Sequence, residues 1–528
     1  MRLIIEARLA EEGSDTGQDV DRVLAVIERP DSSLANVGMT LAEGRALLAK
    51  VQAELVSMQV DGWLTGQTHC QYCGEALSHK DYRSTVVRTV YGKVTVKSPR
   101  LWSCACQRTV RTPRCVVHPL SKALTTRTTP ELKYLQAKWA SQMPYRQATA
   151  MLKEVLPLEK GISFSGARNR IRTIGKQLDA DIERDIAKLP HSVADGRIRE
   201  SRHVAAMSVD SAWLRHCDSQ RGLGRHVNLI AGRATFTDSP PKFYAYVHRE
   251  VTSAAARLDH FLNRNGVAAN ERVTVISDDA GEFEKTVQGS RLARGRILDW
   301  FHIAMQFNAA QRSVFGSKLM DSLDREERES LETEITHVKF LVWHGKGRKA
   351  MERLKALDAQ LLTRAGYEYS TLQERLDKIW YYLRNNAPTL VNYGARHRKG
   401  LPISSSIAES AVNQVVSHRM AKKRQMRWTD QGAHCLVQVR VAVLNGELSP
   451  NRISTLELET SRHRQSLGPA SPNRHRSPNK INRDMLAESP GLPNICTLSN
   501  SSRACRIASM SLRKATLNCA PVDTPTSR

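Results

Sequence analysis

Apolar positions change their period several times along the chain. In TLAEGRALLAKVQAELVSMQVDGWL, Leu41, Leu47, Leu48, Val51, Leu55 and Met58 recur at helical spacing. They predict one long helix for packing or dimerisation within residues 1–64. From residue 65 the helix formers give way to Pro, Cys, Thr and Val. STVVRTVYGKVTVKSPRLWSC alternates valine with polar residues about Tyr91-Gly92-Lys93, the pattern of a β-hairpin. Helical period returns in PELKYLQAKWASQM, YRQATAMLKEVLP and SFSGARNRIRTIGKQLDADIERD, punctuated by Pro130, Pro144, Pro157 and Gly161. Three short helices with Arg168, Arg170, Arg172 and Lys176 on the last predict a helix-turn-helix-like unit over residues 126–190. A plain three-helix packing unit with a solvated basic face competes with that reading.

From residue 200 to 448 the pattern is α/β. HVAAMSVDSAWL, GRHVNLIAGRATF and KFYAYVHRE read as three strands. TSAAARLDHFLNRNG reads as a helix stopped by glycine. RVTVIS and GRIL are further apolar strands, and the second runs into a helix. This order fits an RNase H-like sheet, although periodicity alone admits other α/β folds. A charged helical insertion is expected at about 315–386, and helix again over 403–447. Beyond Leu448 the composition collapses into Ser, Pro, Asn and Arg, as in SPNRHRSPNKINRD. Residues 449–528 are therefore expected to be a disordered tail. The fold class that results is multidomain α/β: the N-terminal helical region, a hairpin unit at 65–125, the helix-turn-helix-like unit, the α/β core and the tail.

Charge narrows the partners. Lys plus Arg number 79 against 53 for Asp plus Glu, a net charge of +26. Such an excess points to a polyanion, nucleic acid ahead of an anionic membrane surface. No apolar run is long enough to span a bilayer. The start, MRLIIEARLAEEGSD, is too short in its apolar part and too acidic afterwards for a secretory signal. A cytoplasmic, nucleoid-associated protein is expected.

Chemistry enters with acids at strand ends. Asp210 follows VAAMSV and Asp278 follows VTVIS. Residues just past the carboxyl ends of strands converge on one crevice, where two carboxylates repel unless a cation lies between them. An all-oxygen site suits magnesium or manganese. A third acid is required from a later helix, and Glu409 stands in ISSSIAESAVNQVVSHRM. A single strand-end Asp is more often a turn cap. Asp299 also follows a strand, in Asp299-Trp300-Phe301-His302, as a metal ligand or a group behind one; Trp300 and Phe301 read as core and His302 as a packing histidine. Cys70-Gln71-Tyr72-Cys73 and Cys104-Ala105-Cys106 flank the hairpin, as in a four-thiolate structural zinc site. Cys115 and His118 are alternatives to Cys106. His418, Arg419, Lys422, Lys423, Arg424 and Arg427 form a basic run just after Glu409, placed for DNA phosphates.

The segments SVDSAWL, VISDDAGEF, DWFHI and IAESAVNQVVSHRMAKKRQMRW, with GAHCLVQVRVAVLNGEL after them, resemble insertion-sequence transposases of the ISKra type, a DDE family. The likeness runs over roughly residues 65–447. It implies an RNase H-like, integrase-like catalytic core in which Asp210, Asp278 and Glu409 hold two magnesium or manganese ions. It also implies a zinc ribbon on Cys70, Cys73, Cys104 and Cys106. The implied partners are double-stranded DNA, as terminal inverted repeats and target, and further copies of the chain on that DNA. Relatives carry glycine where Asp279 stands, so Asp279 rivals Asp278, and their second cysteine gap is two residues rather than one. A regulator that lost the chemistry and a nuclease of the same fold are the alternative functions.

Overall fold

The chain is a multidomain α/β protein. The computed structural model describes residues 1–7, 22–29, 37–107, 114–124, 126–158, 161–189, 198–218, 226–278, 281–316, 323–364, 366–404, 411–420 and 426–466. Glu409, Lys422, Lys423, Arg424 and Asp279, and the chain from 467 onward, lie outside these residues.

The N-terminal region is not helix alone. β1 (Arg2–Ala7) and β2 (Arg22–Glu28) form an antiparallel pair ahead of helix α1 (Leu41–Thr65). A capping box starts α1: Thr40 Oγ1 accepts from the Glu43 N–H, and Glu43 Oε2 accepts from the Thr40 N–H. Arg29 donates to both Glu43 oxygens at 2.8 Å, which ties the strand pair to the helix start. That hydrogen bond leads in holding the Glu43 carboxyl down at about 2.

β3 (His79–Thr89) and β4 (Gly92–Trp102) form the expected hairpin, and the short β5 (Val116–Val117) joins β4. Val90 and Tyr91 make the turn, and Gly92 follows at φ +123°, a conformation only glycine takes without strain. One face of the hairpin, with Val87, Val94 and Val96, packs on Val56 of α1 and on Leu120 of α2 (Pro119–Ala123). Its tip is buried too. Val90 sits among Leu132, Leu152, Leu158 and Ile162, around α3 (Pro130–Gln142) and α4 (Tyr145–Val155).

α5 (Phe164–Ile186) is longer than a recognition helix needs. Its Ala167, Ile171 and Ile174 belong to the same buried cluster as the central sheet. The expected boundary near residue 190 therefore does not separate two cores.

After the two-residue β6 (Arg199–Glu200) come β7 (Val204–Arg215), β8 (His226–Phe236) and β9 (Lys242–Val247), all antiparallel neighbours. Helix α6 (Ala254–Arg264) ends at Gly266, φ +89°, as the glycine stop predicts. β10 (Glu271–Ser277) then pairs parallel with β7. After α7 (Gly281–Gly289), β11 (Ala293–Leu298) pairs parallel with β10. The strand order is β11-β10-β7-β8-β9.

The helical insertion has its own core. α8 (Trp300–Gly316), α9 (Arg325–Trp343), α10 (Gly347–Leu361) and α11 (Thr371–Asn385) enclose Phe307, Ile335, Leu354 and Leu376, and α12 (Tyr393–Arg398) closes it with Tyr393. Residues 411–420, here α13, are helical with a π-helical stretch at Asn413–Ser417. α14 (Asp430–Leu444) follows, buried on most sides with His434, Gln438 and Arg440 among its apolar residues.

Helix extends past Leu448, where the composition predicts none. Pro450–Ser466 is a helix, α15. Ile453 and Leu456 are buried, Glu457 pairs with Lys133 of α3, Arg452 pairs with Asp181 of α5, and Glu459 lies 2.8 Å from Arg184. Two apolar anchors and three ion pairs hold a helix too polar to signal itself. Among the described residues no helix is long and apolar enough to cross a membrane.

Candidate functional site

Register decides which acids meet. β7 and β10 pair Val209 with Ser277, and β10 and β11 pair Ser277 with Leu298. The next residue on each strand is Asp210, Asp278 or Asp299. Parallel neighbours lie about 4.8 Å apart, so the three acids form one row. Asp278 and Asp299 stand just past the ends of β10 and β11, whereas Asp210, expected at a strand end, lies within β7, which runs on to Arg215 paired with β8.

The row is built from both sides. The Ser211 N–H donates to Asp210 Oδ1 at 2.6 Å. Arg296 of β11 donates to the Asp278 carbonyl at 3.1 Å, to Asn386 Oδ1 at 2.9 Å and, with its Nε, to Glu284 at 2.8 Å. It clamps the end of β10 from the side of the helical insertion. Nothing in the local sequence singles out Arg296 from other strand arginines.

Asp299, fully buried, does two jobs. It accepts from the Phe301 N–H at 2.9 Å, capping α8, and its other oxygen lies 2.7 Å from His302 Nδ1. That hydrogen bond is the chief reason the His302 imidazole titrates above its ordinary value; burial works against it, and Asp278 and Asp210 add smaller attractions. Asp299 thus fixes the His302 ring beside the row and favours its charged form. A group whose folded pKa is raised contributes stability below its unfolded pKa of about 6.5, and loses it as pH rises through the folded value. Asp299→Asn keeps a helix cap and removes the charge. Its melting temperature should fall below that of the parent most at acidic pH, with the gap narrowing above neutrality; a pH-independent gap contradicts this pairing.

Glu409 falls outside the described residues, but its flanks are described. The Ile403 carbonyl accepts from the Trp300 N–H at 3.1 Å, next to Asp299, and Ala411 is buried in the core cluster of the sheet.

The basic residues scatter. On α5, Arg168 and Arg172 are exposed one turn apart, and Arg172 reaches Gln431 at 3.3 Å. Arg170 turns the other way, half-buried with its Nε 3.5 Å from Gln136 of α3, and burial lowers its pKa. Two residues along a helix face away from each other, so the three arginines never shared a face. Arg427 is exposed, beside the Trp428 segment that pairs with Arg215 and Cys217 after β7. Arg419 is buried instead of solvated. It donates to the Ala140 carbonyl at 3.0 Å and lies over the Tyr145 and Trp428 rings. Arg440 donates to the Ser141 carbonyl at 2.7 Å and to the Gln414 carbonyl within the π-helical stretch at 3.0 Å. Burial, with repulsion from Arg419, lowers Arg440 to about 10. Both cations sit on the last carbonyls of α3, where the helix end is negative.

The cysteine pairs do converge. Sγ of Cys70 lies 3.6 Å from that of Cys106, and Sγ of Cys73 lies 3.4 Å from that of Cys104. All four sulfurs fall within 4.8 Å of one another, which is metal-binding distance. A tetrahedral zinc with bonds of about 2.3 Å sets sulfurs about 3.8 Å apart, so the donor set fits that ion. Gly74, at φ +77°, lets the first pair turn back, its N–H donating to the Cys70 carbonyl at 2.9 Å. The one-residue second gap is accommodated by a 3₁₀ turn at Ala105–Gln107. Cys115 and His118 do not join the cluster: the Cys115 backbone pairs with Ser103, and His118 Nδ1 caps α2 by accepting from the Ser121 N–H at 3.0 Å.

No protein-family model matches the chain, and no curated protein matches it.

Proposed function

We propose that the chain is a transposase of the ISKra type, cleaving the ends of its own insertion sequence and joining them to target DNA. The observation that carries this reading is the register of Asp210 and Asp278 on adjacent parallel strands within the sheet order β11-β10-β7-β8-β9. An RNase H-like core has that strand order, with acids on that pair of adjacent parallel strands. Glu409 supplies the third carboxylate. Two magnesium or manganese ions bound there would polarise the phosphoryl oxygens and lower the pKa of an attacking water or 3′-hydroxyl. The chain's own groups do the rest. Arg296 fixes the backbone of Asp278, Asp299 orients His302, and exposed Arg168, Arg172 and Arg427, with Lys422, Lys423 and Arg424, meet double-stranded DNA of the terminal repeats and target. Copies of the chain assemble on that DNA.

The test is cleavage and strand joining on a duplex carrying the element's terminal inverted repeat, with magnesium or manganese supplied. Cleavage with joining supports a transposase, cleavage alone a nuclease, and binding without cleavage a regulator.

Cys70, Cys73, Cys104 and Cys106 hold one zinc for structure. Purified full-length chain should carry about one zinc, and a chelator should lower its melting temperature, since binding energy at such a site is folding energy. Cys106→Ser should lose the metal and Cys115→Ser should retain it. Zinc loss in the second variant would move the fourth ligand to Cys115.

A further inference from the structure

The outward face of the β3–β4 ribbon has no role in the reading above. The inward row, Thr85, Val87, Val94, Val96 and Ser98, is buried against α1 and α2. The outward row sets Tyr82 opposite Pro99, Ser84 opposite Lys97, Val86 opposite Thr95 and Arg88 opposite Lys93. Lys93, Thr95, Lys97, Ser84 and Tyr82 are exposed, Tyr82 to 66%.

Two features of this row bear on what it binds. Arg88 and Lys93 are like charges directly across a ladder, with β-carbons about 5 Å apart, which costs stability until an anion lies over them. The ribbon, residues 79–102, has six Lys and Arg and one acid, Asp81, which Arg100 engages.

The ribbon is also held at both ends: the cysteine cluster fixes its base, and burial of Val90 fixes its tip. A face so fixed needs only its side chains ordered on binding. Lys93 and Lys97 stand roughly 13 Å apart along β4, a reach that suits a repeating anion with a charge every few ångströms.

We propose that this ribbon face docks the backbone of duplex DNA, Arg88, Lys93 and Lys97 meeting phosphates while Tyr82, Ser84 and Thr95 donate hydroxyl hydrogen bonds. The inference rests on the DNA reading above and adds a contact surface to it.

The test is salt-dependent binding of full-length chain to a random-sequence duplex. Each lost phosphate contact should flatten the log–log slope by about 0.9, so Lys93→Gln with Lys97→Gln should flatten it by about 1.8. Zinc content should stay at the parental value, and the melting temperature should not fall, since Lys93→Gln also relieves its repulsion from Arg88. Arg325→Gln with Arg348→Gln on the helical insertion, where each cation already faces a glutamate one turn on, should leave the slope unchanged. If the double ribbon variant misfolds, Lys97→Gln alone carries the test at about 0.9. Parental duplex binding with an unchanged slope in the ribbon variants overturns the ribbon and leaves the DNA reading standing. Parent protein that binds an acidic polypeptide but no duplex overturns both.

Discussion

Asp278→Asn is expected to lower strand cleavage about a thousandfold or more, with folding and duplex binding intact. A bound metal is worth several kcal/mol of transition-state stabilisation, and each ~1.4 kcal/mol is tenfold in rate. Asparagine preserves the shape at the end of β10, so the Arg296 clamp on the Asp278 carbonyl remains, but the charge that attracts the cation is gone. Asp210→Asn should behave alike, because the two acids occupy matching positions on paired strands. Glu409→Gln should do so as well. In metal-free buffer, removing one of several neighbouring carboxylates should raise the melting temperature slightly, since like charges within one site disfavour each other's ionised form. Asp299→Asn should fall between these variants and the parent, because its carboxylate caps α8 and orients His302. Asp279→Asn is the control and should be mild. Full cleavage by Asp278→Asn with a dead Asp279→Asn would transfer the role to the neighbour, and full cleavage by Glu409→Gln would remove the three-acid site altogether.

Gly175→Leu is expected to destabilise the fold by about 3 kcal/mol or more, a large fraction of the 5–15 kcal/mol typical of a folded domain. Here α5 crosses α14, and a β-carbon on Gly175 would overlap the backbone of Cys435. Backbone cannot rotate aside as a flexible side chain can, so the two helices must separate. Ile171, Ile174, Leu436 and Val439 share the surrounding core, and separation would loosen them together. The measurement is chemical denaturation of the full chain, read by the change in midpoint at constant slope. Gly62→Ala serves as the counterpart: it lies on α1 with open space around it, and should gain about 0.5–1 kcal/mol from helix propensity. A neutral Gly175→Leu would mean that the two helices do not approach so closely.

The sequence alone determined most of the central elements, though not the β1–β2 pair. Valine alternation gives β3 and β4, apolar runs before acids give β7 and β10, although β7 runs on past Asp210, and the paired cysteines around the hairpin give the metal-binding cluster. Helical spacing gives α1, but its Leu41, Leu48, Val51, Leu55 and Met58 are exposed and it is Val56 and Leu64 that are buried. Each is a local signal, because alternate faces of a strand or a stripe on a helix must be apolar where they meet a core. Elements without such a face escaped. α15 has only Ile453 and Leu456 to bury and is held by ion pairs to α3 and α5, partners three hundred residues away in order of magnitude. Charge was misleading for the same reason: Arg419 reads as a solvated cation until α3 presents its terminal carbonyls to it.

Tertiary structure alone decided which acids stand together, which thiol completes the cluster and which way each arginine faces. Val209 meets Ser277, and Ser277 meets Leu298, only through parallel pairing between strands separated by whole helices, so the row Asp210, Asp278 and Asp299 cannot be read from any window of sequence. Cys106 rather than Cys115 follows from the path of a 3₁₀ turn and from the pairing of Cys115 with Ser103. Periodicity reports whether a residue is covered; what covers it depends on contacts between distant segments, whose energies are set by shape and register rather than by neighbours in the chain.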